Sequence, residues 1–109
     1  MKYMMFVTLE PAPDRISHKP TGAEAWIAET GKSRITGDRL RPPADAKTVR
    51  VRDGKTIVTD GPFTESKEAI VGFDILDCDS LEDAIAIAAK HPIAPVGRIE
   101  VRAFWPFED

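Results

Sequence analysis

The stretch Ala69-Ile70-Val71-Gly72-Phe73-Asp74-Ile75-Leu76-Asp77-Cys78 is followed closely by Ser80-Leu81-Glu82-Asp83, and that junction decides the fold. In the first piece Val71, Phe73 and Ile75 alternate with Ile70, Gly72 and Leu76. Both sides of an extended chain are then apolar, which places this strand inside a sheet. In the second piece Ser80 and Asp83 stand at capping-box spacing, with Asp in place of the usual Glu. Leu81, Ala84, Ile85, Ala88 and Ala89 form one helical stripe, and Pro92 stops the helix at His91. Arg98 to Trp105 then alternates Ile99, Val101, Ala103 and Trp105 with Arg98, Glu100 and Arg102, a strand with one wet face.

The upstream half repeats this order. Tyr3, Met5, Val7 and Leu9 alternate with Met4, Phe6 and Thr8 in a first strand that is apolar on both sides, and Glu10 to Lys19 reads as a loop. Thr21 and Glu24 have capping-box spacing, Ala23, Trp26, Ile27 and Thr30 share a helical face, and Gly31 supplies a left-handed end. Trp26 carries most of this short helix's burial. Ser33 to Leu40 is a strand interrupted by Gly37 and closed by Arg41-Pro42-Pro43. Between the halves, Thr48-Val49-Arg50-Val51-Arg52 and Lys55-Thr56-Ile57-Val58-Thr59 flank Asp53-Gly54, a two-residue hairpin turn. That register sets Val49 against Val58 and Val51 against Thr56, with Arg52 and Lys55 on the solvent side. Strand, helix, strand, hairpin, strand, helix, strand predicts an α+β, ferredoxin-like (split βαβ) antiparallel sheet with two helices on one face and an extra hairpin. The other sheet face is left bare, and a second copy of the chain is the expected cover, giving a homodimer.

At 109 residues the chain fits one domain, 1–109, and its 42% hydrophobic and 30% charged residues are those of an ordinary globular protein. No apolar run is long enough to span a bilayer, and the opening MKYMMFVTLEP reads as a strand rather than a leader. A net charge of −3 with no basic patch argues against nucleic acid. One cysteine, Cys78, excludes an intramolecular disulfide and makes a reducing cytoplasm the simplest compartment. His18, His91 and Cys78 lack ligand spacing, and no phosphate loop or nucleophile motif appears, so neither a metal nor another cofactor is expected.

Candidate chemistry gathers around Thr59-Asp60-Gly61-Pro62-Phe63-Thr64-Glu65-Ser66-Lys67-Glu68, which packs two kinds of charge and a ring into a chain reversal. Asp60 is a turn former that accepts backbone N–H groups, or a general base whose proton affinity Glu65 or Glu68 raises. Gly61, pressed by Pro62 toward extended backbone, ends the hairpin strand. Phe63 is core or pocket wall. Lys67 and Glu68 form a solvated pair, or Lys67 holds an anionic substrate oxygen. His91 caps its helix as an imidazolium, or acts as a pocket acid/base. Gly72 admits a helix, a second backbone or a ligand to close approach. The sequence-level site is therefore Asp60 and His91 for catalysis, with Phe63, Lys67, Glu68 and Gly72 for substrate.

Asp60-Gly61-Pro62-Phe63, with Lys67-Glu68 and Gly72-Phe73, resembles the signature of the DGPF branch of the YCII-related domain proteins. The likeness extends to the MKYMMFV strand, Gly37 and Leu40 before Pro42-Pro43, the Thr48–Gly54 hairpin, Lys90-His91-Pro92 and Ile99-Glu100-Val101-Arg102, nearly the whole chain. The resemblance implies a ferredoxin-like domain that dimerises sheet to sheet into an α/β-barrel-like assembly, with a small-molecule pocket near the interface. Enzymatic members of the wider family are expected to use a His/Asp pair whose histidine lies on the first helix. Here that helix has none, and His18 precedes it. Partnership with an extracytoplasmic-function sigma factor is the regulatory alternative that the resemblance implies.

Overall fold

The structure, a computed structural model, describes residues 1–10, 22–61 and 69–107. In chain order the elements are β1 (Lys2–Leu9), α1 (Ala23–Thr30), β2 (Arg34–Arg39), β3 (Lys47–Arg52), β4 (Lys55–Asp60), β5 (Ala69–Asp77), α2 (Leu81–Ala89) and β6 (Arg98–Ala103). Four strands form one sheet in the order β2-β5-β1-β6, paired antiparallel throughout, while β3 and β4 pair only with each other. Insertion of β5 between β1 and β2 is the split βαβ arrangement. The two strands that read as apolar on both sides, β1 and β5, are the central ones.

Alternation along these strands sorts the two faces. Tyr3 pairs with Leu76, Met5 with Asp74 and Val7 with Gly72, and this side of the sheet is buried. Tyr3, Met5 and Leu76 pack with Trp26 of α1 and Ala84 and Ala88 of α2, so both helices lie on this side. A second cluster of Val7, Leu9 and Ile93 continues the core. Met5 and Leu76 are fully buried, and each full burial of such a side chain is worth about 1.5–3 kcal/mol. On the opposite side Phe6 faces Phe73 and Met4 faces Ile75, all four only partly buried.

Trp26 is the single buried residue of α1, and its indole N–H donates to the Ile87 carbonyl of α2 at 2.9 Å. Gly31 ends α1 with φ 53° and ψ −126°, a positive φ open to glycine but not the left-handed helical conformation expected of it. Gly22 stands at the N-cap with φ 90° and no side-chain cap, so the helix begins one residue later than a Thr21 cap would set it; Thr21 itself lies outside the described residues. Ser80 caps α2 by accepting the Asp83 N–H.

Four expectations need correction. The irregularity in β2 falls between Arg34 and Thr36, while Gly37 pairs regularly with Asp74. α2 stops at Ala89 rather than at His91, with Lys90 as its cap. Its stripe is divided: Ala84 and Ala88 are buried, but Leu81 and Ile85 remain 44% and 51% exposed. β6 ends at Ala103, which leaves Trp105 outside the strand and 87% exposed.

The hairpin register is the expected one, with Asp53 and Gly54 at φ 51° and 75°. Its valine side is nevertheless bare. Val49, Val51 and Val58 are 57–61% exposed, and no residue of either strand is buried. The hairpin thus stands away from the core as an arm, consistent with a radius of gyration of 15.6 Å where a compact chain of this length has about 13 Å.

Candidate functional site

Asp74 and His91 are the buried polar side chains among the described residues. Such groups persist in a core only when partnered, and they concentrate at functional sites.

Asp74 sits on β5 facing the helices, between Met5 of β1 and Gly37 of β2. Arg34 Nε donates to Asp74 Oδ1 at 2.7 Å, and Arg34 Nη2 donates to the Gly37 carbonyl at 2.8 Å. Burial pushes the Asp74 carboxyl above the ordinary range; Arg34 pulls it back by hydrogen bond and charge, and Asp38 adds a smaller upward push. A Cβ at Gly37 would stand 2.2 Å from Asp74 Oδ1 and 2.6 Å from the Phe73 carbonyl, so the absence of a side chain there is what admits the carboxylate. Arg34 Nη1 and Asp74 Oδ2 carry no hydrogen bond to any described residue. The result is a guanidinium and a carboxyl of raised proton affinity side by side, with donor and acceptor capacity remaining. Neither residue was marked from the sequence. The available signal was an aspartate on the inward side of a strand otherwise apolar on both faces.

Gly72 lies two residues along β5 on the same side, opposite Val7 and Arg39. A Cβ there would meet the Asp38 carbonyl at 3.2 Å and Arg39 Cα at 3.7 Å. The close approach that this glycine permits is therefore that of the β2 backbone.

His91 follows α2, and its ring meets the Trp26 ring edge-on with centroids 4.7 Å apart. Its Nδ1 accepts the Ile93 N–H at 3.0 Å. Burial holds its pKa below the ordinary histidine value. The imidazole is accordingly neutral with its proton on Nε2, and the expected imidazolium cap is corrected. Sitting beyond the helix and turned into the core, the ring closes the Pro92–Ile93 turn instead.

Asp60 ends β4 on the arm, 84% exposed at its side chain, and its carboxylate pairs with Lys47 across the hairpin. The reversal after it is held by the Gly61 N–H, which donates to the Ala46 carbonyl at 2.8 Å. Gly61 has φ 92°, a left-handed conformation rather than the extended one expected before proline. Asp60 and His91 thus have different partners on different parts of the molecule. Phe63, Lys67 and Glu68 lie outside the described residues.

A groove of about 430 Å³ between α2 and β6 is lined by apolar side chains that include Leu81, Ile85, Ala89, Ile99 and Val101. It offers no polar group for chemistry. Among the described residues no helix is long and apolar enough to cross a membrane.

The architecture is similar to that of the 5-chloro-2-hydroxyhydroquinone dehydrochlorinase of Burkholderia phenoliruptrix AC1100, solved in complex with 2,5-dihydroxybenzoquinone. The TM-score is 0.55 over 99% of this chain and 97% of the other, at 11% identity, which is a likeness of fold. An uncharacterised protein of Rhizobium meliloti (strain 1021) is 50% identical over 91 residues, 82% of this chain and 73% of that protein. The model of the YCII-related domain matches residues 1–108, and the chain belongs to that family.

Proposed function

We propose that this protein binds a small polar or aromatic molecule bearing acidic oxygens, with Arg34 as the anion-binding group and Asp74 as the proton-exchanging one. The observation that carries the reading is the Arg34–Asp74 pair, its carboxyl buried and its guanidinium half-buried beside Gly37, with Nη1 and Oδ2 uncommitted among the described residues. A guanidinium offers planar, paired donors suited to carboxylate, phenolate or quinone oxygens. Burial of the carboxyl raises its proton affinity toward the range useful for acid/base work. Similarity to a fold that accommodates 2,5-dihydroxybenzoquinone supports a ligand of this class. The acid/base role moves from Asp60 and His91 to Asp74, because Asp60 is exposed on the arm and His91 engages Nδ1 with Ile93.

The working unit in this reading is a homodimer joined through the bare sheet face of Met4, Phe6, Phe73 and Ile75. Light scattering tests it, and a monomer across micromolar concentrations refutes it. For the ligand, a thermal-shift screen of hydroxybenzoquinones and aromatic acids is the direct test. A stabilising compound should lose its effect in Arg34→Lys, which keeps the charge but not the fork. Asp74→Asn should retain binding and lose any turnover by about 10²–10⁴-fold. Stabilisation that survives Arg34→Lys unchanged would remove Arg34 from the site.

A further inference from the structure

We infer that Arg39 is the second anchor of the Arg34–Asp74 site and that the ligand it selects is a small dianion with acidic groups at both ends; the inference rests on the reading of that pair as a ligand site. Strand register places Arg39 there. In β2, Gly37 pairs with Asp74 and Arg39 with Gly72, and cross-strand partners share a face of the sheet. Gly72 pairs in turn with the buried Val7 on the side where both helices lie, so Arg39 and Asp74 project from the same side.

Arg39 is rooted two residues, about 7 Å, along β2 from Gly37. The Arg34 guanidinium reaches the level of Gly37, since its Nη2 donates to the Gly37 carbonyl at 2.8 Å. The two arginines therefore serve neighbouring rows of the sheet. On that side Gly37 occupies β2 in one row and Gly72 occupies β5 in the other, and neither glycine puts a side chain between the two guanidinium groups.

Charge balance gives the second arginine its purpose. Arg34 and Asp74 form an ion pair at 2.7 Å, and whenever the carboxyl is ionised the pair has no net charge with which to hold an anion. An anionic ligand then needs a cation that is not already neutralised. Arg39 is exposed, and among the described residues its side chain makes no ion pair and no hydrogen bond. Asp38 stands between Gly37 and Arg39 in sequence but alternates to the other face, opposite Phe73, and pairs with neither arginine. A monoacid engages Arg34 through its remaining Nη1 and leaves Arg39 in water. A second acidic group one row further along engages Arg39 as well, each contact a charge-assisted hydrogen bond. The ligand class is thus a short dicarboxylate or its aromatic equivalent. Solvent screening weakens a contact this exposed, so the second group should add about three- to tenfold in affinity.

Calorimetric titration with terephthalate and 4-methylbenzoate tests this. The two probes share a ring and a length, and only the first has a second carboxylate. Terephthalate should bind about three- to tenfold tighter, Arg39→Gln should remove that advantage without changing the affinity for 4-methylbenzoate, and Arg34→Lys should weaken both. Arg39 is exposed and unpartnered among the described residues, so Arg39→Gln should unfold at the parent temperature, which separates a lost contact from a lost fold. Terephthalate that binds no tighter than 4-methylbenzoate, or whose advantage survives Arg39→Gln, overturns the role of Arg39 while leaving Arg34 as the anion-binding group. Binding that is absent for both probes, or that Arg34→Lys leaves unchanged for both, overturns the reading of the pair and this inference with it.

Discussion

Gly37→Ala is the sharpest test of the buried pair. Gly37 has no positive φ, so its replacement carries no conformational strain and the effect is steric. The added methyl would meet Asp74 Oδ1 at 2.2 Å, the Phe73 carbonyl at 2.6 Å and Arg34 Nη2 at 2.7 Å. The first and third atoms can move only by breaking the 2.7 Å ion pair, and the second is backbone, so β2 must separate from β5. Overpacking of this kind costs about 1–3 kcal/mol, and a buried pair deprived of a partner about 3–5 kcal/mol. We expect a combined loss of about 3–5 kcal/mol, because pushing the carboxylate aside relieves part of the clash. Urea unfolding reads this as a midpoint lowered by about 1–5 M across slopes of about 1–3 kcal/mol/M. Gly54→Ala is the control: it has nothing within 4 Å but sits at φ 75°, so it should lose only the strain, about 1–2 kcal/mol. Adding Asp74→Ala to Gly37→Ala should cost less than the sum of the two single effects, since both disturb one contact. A Gly37→Ala protein within about 0.5 kcal/mol of the parent would refute the described packing of Asp74 against β2.

His91 predicts a pH dependence. Its native pKa is depressed, so the unfolded chain binds the proton more readily; the stability it contributes is present above the ordinary value near 6.5 and lost as pH falls toward the native one. His91→Gln should flatten that slope, measured as urea midpoint against pH. Asp74 acts in the opposite direction: its native pKa is raised, so its contribution improves as pH falls from the raised value toward about 3.9, and Asp74→Asn should remove that gain in the same measurement. Trp26→Phe should cost about 0.5–1.5 kcal/mol by removing the indole donor from the Ile87 carbonyl, which keeps the Lys90 N–H at 3.2 Å, with the loss read in thermal unfolding. Gly61→Val should destabilise by about 1–3 kcal/mol because a β-branched residue is strained at φ 92°, and an unchanged urea midpoint would contradict that backbone.

The fold was legible because its signals are local and repeated. Two strands apolar on both sides had to be central, Ser80 had to cap a helix, and Asp53-Gly54 had to turn a hairpin in one register. The site was less so. Asp60 stands in the most conspicuous motif of the sequence, yet its partner is an exposed lysine on the neighbouring strand. Asp74 attracted no notice inside an apolar run, because its meaning depends on Arg34 and Gly37, which reach it only through strand pairing across some forty positions. His91 shows the same limit. Proximity to a helix end suggested a charged cap, but the orientation of its ring toward Trp26 is a tertiary matter that no spacing encodes. The exposed side of Leu81 and Ile85 was likewise invisible, since helical periodicity tells which residues align and not whether a neighbour arrives to cover them.

The ends of the arm are fastened to each other. Lys47 pairs with Asp60, the Gly61 N–H reaches the Ala46 carbonyl, and the Thr48 hydroxyl donates to the Gly61 carbonyl at 2.9 Å. A segment closed at its root in this way places almost no demand on the sheet for its own length. Residue pairs can be added to or removed from the tip with only a slow logarithmic change in closure entropy, while the path from β2 to β5 stays as it is. The hairpin is therefore a place where the lineage could vary reach and side-chain content without re-solving the core. It is also a natural insertion point for a grafted epitope or sensor peptide.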